Sequence, residues 1–138
     1  MHYSKEISIG FALTTTLNLL RKKFNREIKE FDLSSEQYGV LKLVNECEKL
    51  TPTLIAELLN RDKATITRII KSLSNKKLIE KKSINNRSFY IVLTQNGNEM
   101  LKKADKIAIK YHKLIMDKIG EEKIVQMLET LKKIREIF

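Results

Sequence analysis

A chain of 138 residues, 42% apolar and 32% charged, is long enough for one domain with a real core and too apolar to be disordered. One cysteine and two histidines exclude an intrachain disulfide framework and a cysteine-based zinc cluster, and they point to a reducing cytoplasm. The formal charge of +10 makes a polyanion an expected partner.

With one proline, four glycines and many Leu, Ile, Lys and Glu, the chain is predicted to be mostly helical. Residues 5 to 31 read as a long first helix, because Leu13, Leu17, Leu20, Phe24, Ile28 and Phe31 recur every three or four positions. The uncharged run "ISIGFALTTTLNLL", residues 7–20, falls short of the ~20 residues that span a bilayer. It runs into Arg21, Lys22 and Lys23 instead of a small-residue cleavage site, so neither a membrane span nor a signal peptide is expected. Ser34 with Gln37 three residues on forms a capping box for a second helix, 35 to 48. Cys47 near its end reads as a small buried filler, since nothing nearby resembles an activated thiolate.

Thr51 before Pro52 marks a third, short helix, because proline costs least at the first helical position. Asn60 and Arg61 end it, and Asp62 caps a fourth helix that runs to about Lys77. Two helices joined by a turn of this length make a helix-turn-helix. The period then changes. Phe89, Ile91 and Leu93 alternate with Tyr90, Val92 and Thr94 as in a half-buried strand, and a partner strand is expected near 79 to 84. Asn85 and Asn86 tolerate positive φ, which suits a tight turn between the two strands. Thr94 caps a fifth helix, 95 to 119, with Leu101, Ala104, Ala108, Tyr111 and Ile115 among its apolar positions. Gly120 stops it, and Glu121 and Glu122 favour the start of a sixth, 121 to 137, carrying Ile124, Leu128, Leu131, Ile134 and Ile137. Three long terminal helices leave more apolar surface than one small winged core covers. The reading is therefore a homodimer held by both termini, with Leu13, Leu17, Leu20, Ile115, Ile124, Leu128, Leu131 and Ile134 as interface candidates.

Charge is concentrated around the fourth helix. Residues 61–90 carry nine cations against Asp62 and Glu80, so +7 of the total +10 falls in this stretch. On a helical wheel Ile66, Ile69, Ile70 and Leu73 make one apolar stripe. Ala64, Arg68, Lys71 and Asn75 lie opposite, with Thr65, Thr67 and Ser72 on the flanks. A solvated face usually alternates Glu with Lys, and this one has no acid after Asp62. Short hydroxyls, an amide and an arginine can reach phosphates and base edges in a major groove. A cationic surface without a reading role is the plainer alternative. Arg87, at the hairpin tip, could enter a neighbouring minor groove, and Lys81 and Lys82 are placed for backbone phosphates.

The order of a long helix, "LSSEQYGVLKLV", "LTPTLIAELLN", "DKATITRIIKSLSNKKLI", "NNRSFYIVLTQNG" and two terminal helices resembles the MarR family of bacterial transcription regulators over nearly the whole chain. The resemblance implies a mainly α fold with a small β-hairpin wing (α+β): a winged helix-turn-helix lobe, 34–94, and a helical dimerisation lobe, 1–33 and 95–138, within one domain, 1–138. It also implies a homodimer that binds a palindromic operator in double-stranded DNA; promoter occlusion would make it a repressor, activation stays open, and a small aromatic or lipophilic effector could release it. Tyr38 and Tyr111 are candidates to line the effector cleft, and core packing is their plainer role. Asp62 takes the place of the recognition-helix cap, Thr65, Thr67 and Arg68 match the reading segment, and Arg87 matches the wing arginine. The candidate DNA contacts are Asp62, Lys63, Ala64, Thr65, Thr67, Arg68, Lys71, Ser72 and Asn75 on the helix, with Lys81, Lys82, Asn85, Asn86 and Arg87 on the wing. One departure stands out: the family's wing usually has an aspartate where this chain has Asn85, and an amide can order the turn but cannot form a salt bridge.

The sequence leaves two other functions to consider. A non-specific nucleic-acid or protein-binding winged module is favoured by the excess of lysine, 21 to six arginines, because lysine contacts phosphate as a point charge and discriminates bases less well. An enzyme is disfavoured, since the sequence offers no nucleophile–base set, no paired acids and no glycine-rich phosphate loop. No metal or cofactor is expected.

Overall fold

The structure, a computed structural model, describes residues 1–138 as six helices and one two-stranded sheet. In chain order these are α1 (Ile9–Ile28), extended by a 3-10 turn over Lys29–Phe31, α2 (Ser35–Glu46), α3 (Pro52–Leu58) and α4 (Lys63–Asn75). Then come β1 (Ile79–Ser83), β2 (Phe89–Leu93), α5 (Gln95–Ile119) and α6 (Glu121–Ile137). This is the mainly helical winged helix-turn-helix architecture expected from the sequence. No helix is long and apolar enough to cross a membrane. The chain divides into two compact units, Met1–Ala104 and Asp105–Phe138, and α5 runs across the division.

The local signals account for most element boundaries. Ser34 Oγ accepts the Gln37 N–H at 3.1 Å while Gln37 Oε1 accepts the Ser34 N–H at 3.2 Å, a complete capping box. Thr51 caps α3 through the Leu54 N–H, with Pro52 in the first turn. Asn60 at φ 51° turns the chain out of α3, and the Arg61 N–H closes onto the Ala56 carbonyl at 2.9 Å. These bonds satisfy carbonyls that the helix end would otherwise leave open. Gly120, at φ 101°, stands between α5 and α6, and Glu121 and Glu122 occupy the first turn of α6.

Several boundaries differ from the sequence reading, beginning with α2, which ends at Glu46 and not at 48. Helix α1 begins at Ile9, not residue 5, because Ser8 is its cap and accepts the Phe11 N–H at 3.1 Å. Helix α4 stops at Asn75, two residues early: Lys77 takes φ 60° and the Leu78 N–H bonds the Leu73 carbonyl, closing a Schellman turn around two buried leucines. The hairpin contains no positive-φ residue at Asn85 or Asn86, so the expected tight turn is replaced by a longer loop described below. Cys47 follows α2 and is half-buried, not enclosed.

In the first unit Ile28, Val40, Leu41, Ile55, Ile66, Leu73 and Ile91 are fully enclosed. The stripe of α4 supplies Ile66, Ile70 and Leu73 to this core, with Ile69 half-buried beside them. Strands β1 and β2 pair antiparallel with Ile79 opposite Leu93 and Ser83 opposite Phe89. Behind them the Ile91 N–H donates to the Leu50 carbonyl at 2.9 Å, a single bridge that fastens the wing to the segment before α3.

Candidate nucleic-acid interface

With its apolar stripe turned inward, α4 has no choice but to present its opposite side. Lys63, Ala64, Thr67, Arg68, Lys71 and Asn75 are all exposed. The candidate reading residues thus come together on one outward surface, with two exceptions. Ser72 is half-buried, and its hydroxyl accepts a hydrogen bond from Gln37 Nε2 at 2.9 Å. Thr65 is also half-buried and is committed to the cap of its own helix.

That cap is a small relay. Asp62 Oδ2 accepts the Thr65 N–H at 2.9 Å, and Asp62 Oδ1 accepts the Thr65 hydroxyl at 2.6 Å. Thr65 Oγ1 in turn accepts from Arg68 Nη2 at 3.2 Å. The hydroxyl and then the amide of Thr65 hold the Asp62 carboxyl below its ordinary pKa, with Arg68 adding a lesser attraction. The carboxylate is suited to this place because the helix start offers unpaired N–H groups and a positive dipole end. Asp62 is thus occupied in orienting Thr65 and, through it, Arg68.

The local charge excess is partly neutralised. Arg61 Nη1 meets Glu36 Oε1 at 2.7 Å, and that hydrogen bond is the first cause of the raised Arg61 pKa. Lys76 Nζ donates to the Asp32 carbonyl and to Gln37 Oε1, the latter at 3.0 Å, and lies 3.7 Å from Asp32 Oδ2. Lys82 lies 3.6 Å from Glu80 on the exposed hairpin, a pair worth little in water. Lys63, Lys71, Lys81 and Arg87 have no such acid, Arg68 is only weakly drawn to Asp62, and together they form the cationic surface. Several of them converge: a groove of about 530 Å³ lies between α4, the wing and the start of α3, lined by Lys63, Thr67, Lys71, Lys81, Arg87 and Phe89 together with Thr51 to Thr53. No acid lines it.

The wing is ordered by its own side chains. Asn85 Oδ1 accepts the Arg87 N–H at 2.8 Å and the Ser88 N–H at 3.1 Å. The Ile84 N–H donates to the Ser88 carbonyl at 3.0 Å, closing the loop. The amide oxygen of Asn85 therefore does for the turn what a carboxylate oxygen would do, and a salt bridge is not needed to order it. Asn86 and Arg87 are exposed in this loop.

Two contributors carried no sequence signal beyond local structure. Gln37 was legible as half of a capping box, yet its amide also grips Ser72 of α4 and Lys76 just beyond it. Phe89 was legible as a strand residue, and Lys81 Nζ sits 4.8 Å from its ring centroid, a cation–π contact that steadies the lysine. Of the two tyrosines considered for an effector cleft, Tyr38 packs its ring 5.0 Å from that of Phe24 and Tyr111 is half-buried under Lys110. Among the interface candidates, Leu13, Leu17, Leu20 and Leu128 are exposed, Ile115, Leu131 and Ile134 are half-buried, and Ile124 is buried.

Comparison with known proteins agrees with this architecture. The model of a family described as transcriptional regulator SarA/Rot matches residues 22–107. No match was found among curated protein sequences. Among solved structures, the Staphylococcus aureus MepR–DNA complex superposes with a TM-score of 0.84 at 23% identity, covering 94% of this chain and 97% of that one. A MarR-family regulator from Rhodococcus sp. RHA1 superposes with a TM-score of 0.87 at 22% identity, covering 96% of each. An Escherichia coli MarR mutant complexed with operator DNA gives 0.83 at 18% identity, covering 97% and 99%. At these identities the likeness is one of fold.

Proposed function

The chain belongs to the SarA/Rot family of transcriptional regulators, and from that premise we propose that it binds double-stranded DNA as a homodimer and represses by occluding a promoter. In this reading α4 enters the major groove and the wing the adjacent minor groove. Two copies would then read half-sites about 34 Å apart, one helical turn, in a palindromic operator. The observation that carries the reading is the acid-free outward side of α4, with Arg68 held by Thr65 and the groove cations beside it. Two structures of like fold are themselves complexes with DNA, which supports the same partner. A DNA partner of this kind supports a cytoplasmic location. Release by a small aromatic or lipophilic anion belongs to the reading on the strength of the family resemblance.

Selection of bound fragments from a random duplex pool tests the proposal. An enriched inverted repeat with half-sites one turn apart is the expected result. Recovery of fragments with no common sequence, bound with a steep salt dependence, would instead establish a non-specific module.

A further inference from the structure

Between Leu33 and Thr94 only three large apolar side chains are exposed: Leu54 and Leu58, one turn apart on α3, and Ile84. Ile84 stands alone at the end of the hairpin, 52% exposed. A single exposed isoleucine needs no explanation on an ordinary surface. This one occupies an unusual place. Hairpin loops favour Asn, Asp and Gly, and Ser83, Asn85, Asn86 and Arg87 around it are polar and exposed.

The loop is also stiff. Ile84 N–H donates to Ser88 O at 3.0 Å, Asn85 N–H to the same carbonyl at 3.3 Å, and Ser83 Oγ to Asn85 O at 3.1 Å. Asn85 Oδ1 holds the Arg87 and Ser88 amides. A β-branched side chain on such a loop has little rotamer freedom left to lose. It is a fixed apolar point three residues before Arg87, in the same exposed loop.

We infer that Ile84 is a wedge: as Arg87 enters the minor groove, Ile84 inserts at one base step in each half-site, partly unstacks it and bends the duplex. The inference rests on the DNA-binding function proposed above. Arg87 is drawn by the negative potential of a narrow minor groove. Ile84, carried in with it, gains only where water is excluded, and the place in a minor groove that excludes water is the gap between stacked bases. Pyrimidine–purine steps unstack most readily, so they are expected at the wedge position although no polar atom of Ile84 reads them.

The test uses duplexes recovered by the selection described above, labelled at both ends for energy transfer. Wild-type protein is expected to shorten the end-to-end distance. Ile84→Ser, with an unchanged thermal midpoint, is expected to bind the same duplex nearly straight and no more than about tenfold more weakly, and Ile84→Val to restore the bend. A single mismatch walked along the site adds a second readout. Wild type is expected to gain about tenfold in affinity at one step per half-site, where the unstacking has been done in advance, and Ile84→Ser to gain nothing there. A straight wild-type complex overturns the wedge and leaves DNA reading standing, as does a bend or mismatch gain that persists in Ile84→Ser. Recovery of no bound duplex at all overturns both.

Discussion

Arg68 and Lys81 both belong to the cationic surface, yet their surroundings predict different behaviour. Arg68 is oriented by Thr65, which is itself fixed by Asp62, so its planar fork is presented with little freedom to lose. Arg68→Ala is expected to cost about 1–3 kcal/mol on the operator and to relax preference at one base position, as measured by binding to single-base variants. Equal weakening on random DNA would remove it from base reading. Lys81 stands over Phe89 as a point charge facing the groove. Its replacement by alanine is expected to weaken all sequences alike and to lower the salt slope by about one, read from binding at several ionic strengths. Asp62 gives a pH signature. Its carboxyl is held below the ordinary value of 3.8 in the folded chain, so its contribution is complete above that value and disappears as pH falls through the lower, folded one. Asp62→Ala is expected to melt below wild type at pH 7, with the gap closing in strong acid. A gap that does not narrow as pH falls below 3.8 would assign the loss to something other than the charge.

At the level of elements, the joint behind the wing is the most constrained place in the first unit. Thr94 N–H donates to the Leu78 carbonyl, and the Thr94 hydroxyl donates to the Lys77 carbonyl while accepting the Gly97 N–H. A Cβ on Gly97 would lie 2.0 Å from the Leu78 carbonyl oxygen, so the turn after α4 and the start of α5 are in close backbone contact. Gly97→Ala is expected to destabilise by about 3 kcal/mol, since only backbone movement relieves the clash. Denaturant unfolding measures it, and a loss below about 1 kcal/mol would show that the joint yields. The Thr94 cap was legible in the sequence, as were Ser34, Thr51 and Asp62, because a cap is a contact three residues long. The close approach at Gly97 was not, because Leu78 meets it only once the hairpin has folded back. The same limit hid the Leu50–Ile91 bridge and the hold of Gln37 on Ser72. The early end of α4 was missed for a different reason: the left-handed residue there is Lys77, and lysine gives no such signal. The outward residues of α4 were legible because a 3.6-residue period assigns them without any knowledge of the neighbours.

For the whole molecule, the decisive feature is apolar surface that one chain leaves open. On α1, Phe11, Leu13, Leu17, Leu19 and Leu20 are each more than two-fifths exposed, and Val125, Met127 and Leu128 are exposed on α6. Surface of this extent in a chain of 138 residues favours a second copy as its cover. Leu17→Glu is expected to shift sedimentation from dimer to monomer and to lower operator affinity at least about tenfold, because two linked half-site contacts become independent. A monomeric wild type would remove the dimer from the mechanism. The tether from Gln37 to Ser72 and Lys76 bears on a different use of the protein. A chimera made by transplanting 63–75 from another regulator would arrive without the partners that fix its tilt, and would read its old sequence poorly however well it folded. Exchanging position 37 along with the helix is expected to recover the donor's preference, and a chimera that gains nothing from the exchange would leave that glutamine a purely structural tether.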